Sequence, residues 1–457
     1  MAAPRALRPF RVRQYRVLVS ALTLSLFGEG VWLVAIVWQV IAVGGSPVDL
    51  SLVATGASAG LIAAVLFGGV VADRVPQRRI LIAVESTKTV IVALTAAVTL
   101  TGHLALWHLV VLSIVLGAAG GFFYPAYSAL LPSVLPADDL LAANGVEGVL
   151  RPAVLYAGGP AVASAVIAAA SPGLAFAVVA GSQLLAVTGL AFLEPTPLRR
   201  GGSDVALAAE ASTDGPAFAA EHGAAAPGRP AGETSSATRP GGPTAVRGVF
   251  ADLGAGFRYM GRTPWLLGTL LFASLLILVI MGPIEVLLPF AVRDQTGGGP
   301  GAFAVVLAAY GVGGVVGSIV VASRPLPRRY LTVMVLLWGA GSLPLVVIGF
   351  TSQLWVMAVA VFVVGVTAAA ATVIWGTLLQ RRVPPEMLGR VSSLDFFVSL
   401  AFMPVSMAIA GPVGEAIGIA PAFVVAGAVP VVIAVVAIIW ARMPSDELAH
   451  PLDLKPA

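Results

Sequence analysis

Long unbroken apolar runs, parted by short polar punctuation, fill this chain. They predict helices over 17–43, 49–72, 80–101, 105–131, 141–170, 173–194, 265–292, 300–323, 330–350, 353–379, 391–416 and 420–441. Each run is near the ~20 residues that a helix needs to cross hydrocarbon. Helices and closed barrels are the structures that satisfy their own backbone in lipid. The apolar positions are continuous rather than alternating, so the pattern selects helices. The expected fold is an all-α membrane protein with twelve transmembrane helices.

Charge placement orients that map. The loops of even number carry Arg74, Arg78 and Arg79, then Arg199 and Arg200, then Arg324, Arg328 and Arg329, then Arg381, Arg382 and Arg390; the odd loops carry only Arg293. Positive residues mark the cytoplasmic side. Both termini are therefore expected inside the cell (inner) membrane, consistent with an even number of spans. Arg5, Arg8, Arg11, Arg13 and Arg16 lead straight into the first apolar run, which predicts a retained first helix rather than a cleaved leader.

Composition changes the picture little. Of 457 residues 58% are hydrophobic and 11% charged, and the mean hydropathy is +0.97, too little charge for a soluble surface. The net charge of +4 sits in loops, so it sets topology and gives no sign of a nucleic-acid partner. Zero cysteines exclude a disulfide framework, and His103, His108, His222 and His450 are too scattered for a metal site. Neither Lys88 nor Lys455 follows a phosphate-cradling glycine loop, so no ATP site is expected and energy must come from a gradient. No cofactor and no catalytic residue is expected.

Residues 199–248 break the pattern. Gly201, Gly202, Pro216, Pro227, Pro230, Pro240 and Pro243 punctuate an Ala/Ser/Thr-rich stretch that cannot bury a core. This predicts four parts: 1–198, a six-helix bundle; 199–248, a cytoplasmic linker; 249–443, a second bundle; and 444–457, a tail. Phe250, Leu253, Phe257 and Met260 recur at helical spacing, as either a surface helix or a lead-in to the seventh span. The two halves echo one another. Ala72-Asp73-Arg74-Val75-Pro76-Gln77-Arg78-Arg79 aligns with Ala322-Ser323-Arg324-Pro325-Leu326-Pro327-Arg328-Arg329, and Gly159-Pro160 with Gly411-Pro412. Such duplication suits two pseudo-symmetric bundles that rock about a midplane site.

The stretch from Gly69 through Asp73, Arg74, Arg78 and Arg79 resembles the major facilitator superfamily signature between helices two and three, with Pro76 and Gln77 departing from its usual Gly and Arg. The resemblance implies that the acid latches onto the start of helix eleven, with Arg390, Ser392 and Ser393 as candidate partners. Phe122-Phe123-Tyr124-Pro125-Ala126, Gln380-Arg381-Arg382-Val383-Pro384-Pro385-Glu386 and Gly389-Arg390-Val391-Ser392 are similar to the enterobactin-exporter and macrolide-efflux branch. It implies efflux by alternating access.

Ionisable groups inside spans are costly and are functional candidates by default. Glu29, within Gly28-Glu29-Gly30, is mid-span, and its flanking glycines are expected to leave the carboxyl open to a cavity. It is read as an isolated acid that binds and releases a proton. Glu285 lies in the outer half of the seventh span, for cationic substrate or a gate. Glu147 and Arg151, four apart, are expected to pair directly, with Asp395 as the echo of Glu147 in a gating network. Glu85 and Lys88 are expected to be a structural pair that snorkels toward the inner interface. Trp32, Tyr124, Tyr127, Trp375 and Phe396 are candidate lining for an apolar substrate cavity. Together these predict a monomeric proton-coupled exporter of amphipathic small molecules. A siderophore or lysolipid exporter, or a receptor-like membrane protein without transport, are the alternatives.

Overall fold

The computed structural model describes residues 8–195, 258–384, 391, 395 and 397–452. Among these residues twelve helices are long and apolar enough to cross a membrane. They are α1 (Arg13–Ala42), α2 (Pro47–Arg74), α3 (Gln77–Leu100), α4 (Leu106–Val134), α5 (Ala142–Ala169) and α6 (Pro172–Ala191) in the first half. The second half has α7 (Pro264–Thr296), α8 (Pro300–Ala322), α9 (Tyr330–Ile348), α10 (Leu354–Arg382), α11 (Phe397–Ile417) and α12 (Ile419–Trp440). The linker at 199–248, Phe250, Leu253 and Phe257 lie outside the described residues.

Local chemistry starts several of these helices. Proline occupies the first turn of α2, α6, α7 and α8, where its missing N–H costs nothing. Ser46 and Asp49 form a capping box on α2: the Ser46 hydroxyl accepts from Val48 N at 3.2 Å, and the Asp49 carboxylate accepts from Ser46 N at 2.8 Å.

Small residues then set which helices touch. A Cβ on Gly60 or Gly117 would meet the facing backbone of α4 or α2, and one on Gly313 or Gly317 would meet that of α10. The α2–α4 crossing of one half is thereby repeated as the α8–α10 crossing of the other. Between halves the contacts run α2 to α11 and α5 to α8, the same pair of positions exchanged by the internal two-fold.

The packing differs between the two ends of the helices. Call the face bearing the start of α1 and the end of α12 the terminal face. At the opposite, far face one apolar cluster draws on both halves, from Val34, Val37 and Leu50 to Val286, Phe303, Met407 and Phe423. Toward the terminal face the core divides. One cluster, around Leu18, Leu81 and Leu130, belongs to the first half; another, around Leu266, Leu331 and Leu378, belongs to the second. Among the described residues the apolar core is shared by the two halves at the far face and divided between them at the terminal face.

The residues expected to form a tail begin with a helix, α13 (Met443–Ala449), docked on the second bundle. Glu447 is 1% exposed and supplies the start of α9 with its cap: its carboxylate accepts from Leu331 N at 2.8 Å, Thr332 N at 3.2 Å and the Thr332 hydroxyl at 2.5 Å. The first N–H groups of a helix have no partner within it, and a carboxylate there also meets the positive end of the dipole. Asp446 pairs with Arg382, whose guanidinium lies 4.6 Å from the Trp265 ring centre. One short helix thus ties the terminal-face ends of α7, α9 and α10. Glu447→Ala is expected to destabilise the protein by roughly 1–3 kcal/mol. The check is an earlier melting transition in detergent, with Glu447→Gln falling between the variant and the parent.

Candidate functional site

Two interruptions of helical geometry place the groups that face each other across the halves. Val154–Gly158 within α5 and Pro283–Leu287 within α7 are π-helical. Pro160 has no N–H to donate to the carbonyl of Tyr156, and Pro283 opens the second wide turn, so each has a local cause. Such turns re-aim side chains and recur at functional sites. Here they carry Tyr156 and Glu285. Tyr156 meets Tyr310 of α8 edge-on at 5.3 Å between ring centres, and lies within electrostatic reach of Glu285, Tyr124 and Arg151. The Glu285 side chain is exposed and, among the described residues, has no ion pair. It stands beside the junction of the halves, within electrostatic reach of Tyr156 and Tyr310.

Glu29 is not isolated. The ammonium of Lys88, on α3, lies 3.1 Å from the nearer carboxylate oxygen of Glu29 and 3.0 Å from that of Glu85. Ser25 of α1 donates its hydroxyl to the same Glu85 oxygen at 2.8 Å and accepts from Lys88 at 3.1 Å. Glu85 is fully buried and Lys88 4% exposed, so neither snorkels; the Glu29 side chain remains one-third exposed. The flanking glycines have a packing role that the sequence reading missed. A Cβ on Gly28 would stand 2.7 Å from the Ser182 hydroxyl of α6, and one on Gly159 would stand 2.6 Å from Gly30 Cα. The Gly159-Pro160 step is where α5 crosses α1.

The expected Glu147–Arg151 pair is replaced by two bonds to α4. Tyr127 donates to Glu147 at 2.5 Å, and Arg151 donates to the Tyr124 hydroxyl at 2.8 Å while covering its ring at 5.0 Å. Tyrosines three apart on α4 present both partners on one face, and each bond replaces a charge–charge contact along a single helix. Arg151 and Tyr124 are in turn within electrostatic reach of Glu29.

In the second half, Asp395 accepts from the Trp375 indole N–H at 3.0 Å and from the Ser399 hydroxyl at 3.3 Å. A cavity of about 310 Å³ adjoins them, lined also by Met281, Ile284, Tyr310 and Trp338 and, among the described residues, by no basic one. Trp32 packs on Phe176 at 5.3 Å. In the signature loop, Gly69 and Asp73 lie in the last turns of α2, Arg74 ends it, and Arg78 donates to the carbonyls of Leu190 and Ala191 at 3.2 and 2.7 Å, capping α6. Arg79 lines an apolar groove with Val71, Val75 and Phe122. Arg390, Ser392, Ser393 and Phe396, the expected latch partners and one cavity residue, lie outside the described residues.

Twelve long apolar helices in two related halves define a multi-pass membrane protein. The family model of the Major Facilitator Superfamily matches residues 18–401, and the chain belongs to that family. It is 26% identical to the Multidrug efflux pump Tap of Mycolicibacterium fortuitum over 95% of this chain and 97% of that protein. It is 28% identical to the Multidrug efflux pump Tap of Mycobacterium tuberculosis (strain ATCC 25618 / H37Rv), over 96% and 94%. Among solved structures, a variant of the nucleoside transporter NupG superposes with a TM-score of 0.68 at 11% identity, over 93% of this chain and 99% of that one. Tetrameric PepTSo2 gives 0.61 at 14%, over 96% and 99%. These structural likenesses establish the shared fold.

Sequence reasoning did not bring out the joining of Lys88 to Glu29, the Tyr156–Tyr310 contact or the Glu447 cap. A signal existed for the first, because Lys88 is one of two lysines in the chain and sits mid-span. Tyr156 and Tyr310 are two of only seven tyrosines, each inside an apolar run.

Proposed function

We propose that the chain is a secondary exporter of amphipathic small molecules, driven by proton entry through Glu29, in the cell (inner) membrane with both termini in the cytoplasm. In that orientation the divided core at the terminal face supports an inward-facing reading of this arrangement. The observation that carries the reading is Glu29 itself: a carboxylate one-third exposed, deep in the fold, held by a buried ammonium it would have to release on taking up a proton. The two relatives named as multidrug efflux pumps support the direction and the class of cargo. The cavity beside Asp395, aromatic and thioether-lined with an acid and no base, suits an amphipathic compound better than an anion. A basic residue in that lining would have favoured the siderophore alternative.

The test is a proton flux. In proteoliposomes loaded with a pH-sensitive dye, adding ethidium or another amphipathic compound from a broad panel is expected to move protons opposite to the compound. A flat trace across the panel sinks the reading.

A further inference from the structure

The export reading uses Glu29 and leaves Lys88 and Glu85 unexplained. The three N–H bonds of the Lys88 ammonium are all engaged, by Glu29 at 3.1 Å, Glu85 at 3.0 Å and Ser25 at 3.1 Å, and Phe123 covers it at 5.6 Å from the ring centre. One oxygen of Glu85 accepts from both Lys88 and Ser25, while the other is buried without a donor. A small void bordered by Leu18, Phe123 and Tyr127 lies against this residue.

The charges do not cancel. Two carboxylates meet one ammonium, which leaves one negative charge inside the bundle. The helices packed around it offer Tyr15 on α1, Tyr124 and Tyr127 on α4, and Glu147 and Arg151 on α5; α6 contributes Ser182 and Gln183, neither of which titrates. Of these only Arg151 is a cation, and its hydrogen bond goes to Tyr124. An uncompensated buried charge is expensive, and a single proton removes it.

Resting on the proton-coupling reading of Glu29, we propose that Glu29 and Glu85 form one shared proton site organised by Lys88. Glu29 is the accessible member. A proton arriving from the aqueous space adds to a Glu29 carboxylate oxygen, Lys88 keeps its own three protons and holds Glu85 and Ser25, and the site becomes neutral. Loss of that proton to the opposite side restores the bridge. Glu85 is a positioning residue: its charge raises the affinity of Glu29 for the proton, and Lys88 limits the site to one.

The two neighbours therefore act with opposite sign on the Glu29 proton. Infrared titration of the purified protein in detergent follows the protonated carboxyl stretch without any substrate. The parent is expected to show one titrating carboxyl that Glu29→Gln removes. Glu85→Gln leaves a neutral Glu29–Lys88 pair, so the band should move to lower pH by about one unit, a tenfold loss of proton affinity. Lys88→Met should move it to higher pH by a similar amount. The double variant Glu85→Gln/Lys88→Met keeps the net charge of the site and should titrate near the parent, which preserves the test if Lys88→Met alone does not fold. A band that stays fixed in Glu85→Gln, or that moves as far in the double variant as in Glu85→Gln alone, overturns the shared site. That result leaves the export reading standing, since the proton flux with ethidium decides it separately.

Discussion

Glu29→Gln is expected to abolish uphill export while sparing downhill exchange. One elementary charge moving inward is worth ~2.3 kcal/mol per 100 mV, so losing one coupled proton per cycle lowers the sustainable substrate gradient about 50-fold at that potential. Exchange of ethidium between equal pools needs no proton movement and should stay within about twofold of the parent, because glutamine keeps the shape and a hydrogen bond to Lys88. The measurement is accumulation in inverted vesicles with and without an imposed pH gradient. A variant that still concentrates the dye in response to that gradient removes Glu29 from the coupling path. Loss of both activities would instead point to a packing role beside Ser25 and Lys88.

Gly411→Val is expected to hold the far face open. Gly411 on α11 packs directly on the backbone of Pro47 at the start of α2, its N–H donates to the Ser51 hydroxyl at 2.6 Å, and Glu415 accepts from Val48 N at 3.4 Å. These contacts join the halves at the closed far face. Overpacking a tight contact costs about 1–3 kcal/mol, and ~2 kcal/mol moves a two-state equilibrium about 30-fold. The chain contains no cysteine, so spin labels at Val43→Cys and Ile417→Cys report this face without background. The label distance should lengthen and transport should slow. An unchanged distance distribution would mean that the α2–α11 contact does not govern closure. Gly159, the echo of Gly411, packs within its own half on Gly30, so bulk there is expected to damage folding rather than bias the gate.

Much of the architecture was legible because the bilayer makes strong demands on sequence. A span must be apolar, close to a fixed length and started correctly, and Ser46-Pro47 and Ser171-Pro172 satisfy this in plain view. The close crossings at Gly60, Gly117, Gly313 and Gly317 likewise fall on glycines spaced four apart, a pattern open to view in the sequence. The site was less legible because it depends on how helices rotate against one another. Glu147 and Arg151 have the spacing of a pair along one helix, yet Tyr127 and Tyr124 on the neighbouring helix claim them first. Lys88 sits three residues from Glu85, which made a local pair visible, but its reach to Glu29 needs α3 to lie beside α1. The stretch Met443-Pro444-Ser445-Asp446-Glu447 has the polarity of a tail. Its role appears only when Leu331 and Thr332, more than a hundred residues earlier, are found beneath it.

That distance along the chain also gives the protein a built-in delay during its synthesis. The cap on α9 comes from a residue 116 positions later than Leu331. At a synthesis rate of ~5–20 residues per second, α9 waits roughly 6–23 s in the membrane with its first N–H groups unclaimed. Until α13 emerges the start of α9 lacks the carboxylate that caps it. A chain cut short before Glu447 is therefore expected to insert all twelve spans and still leave the second bundle less stable than the full one.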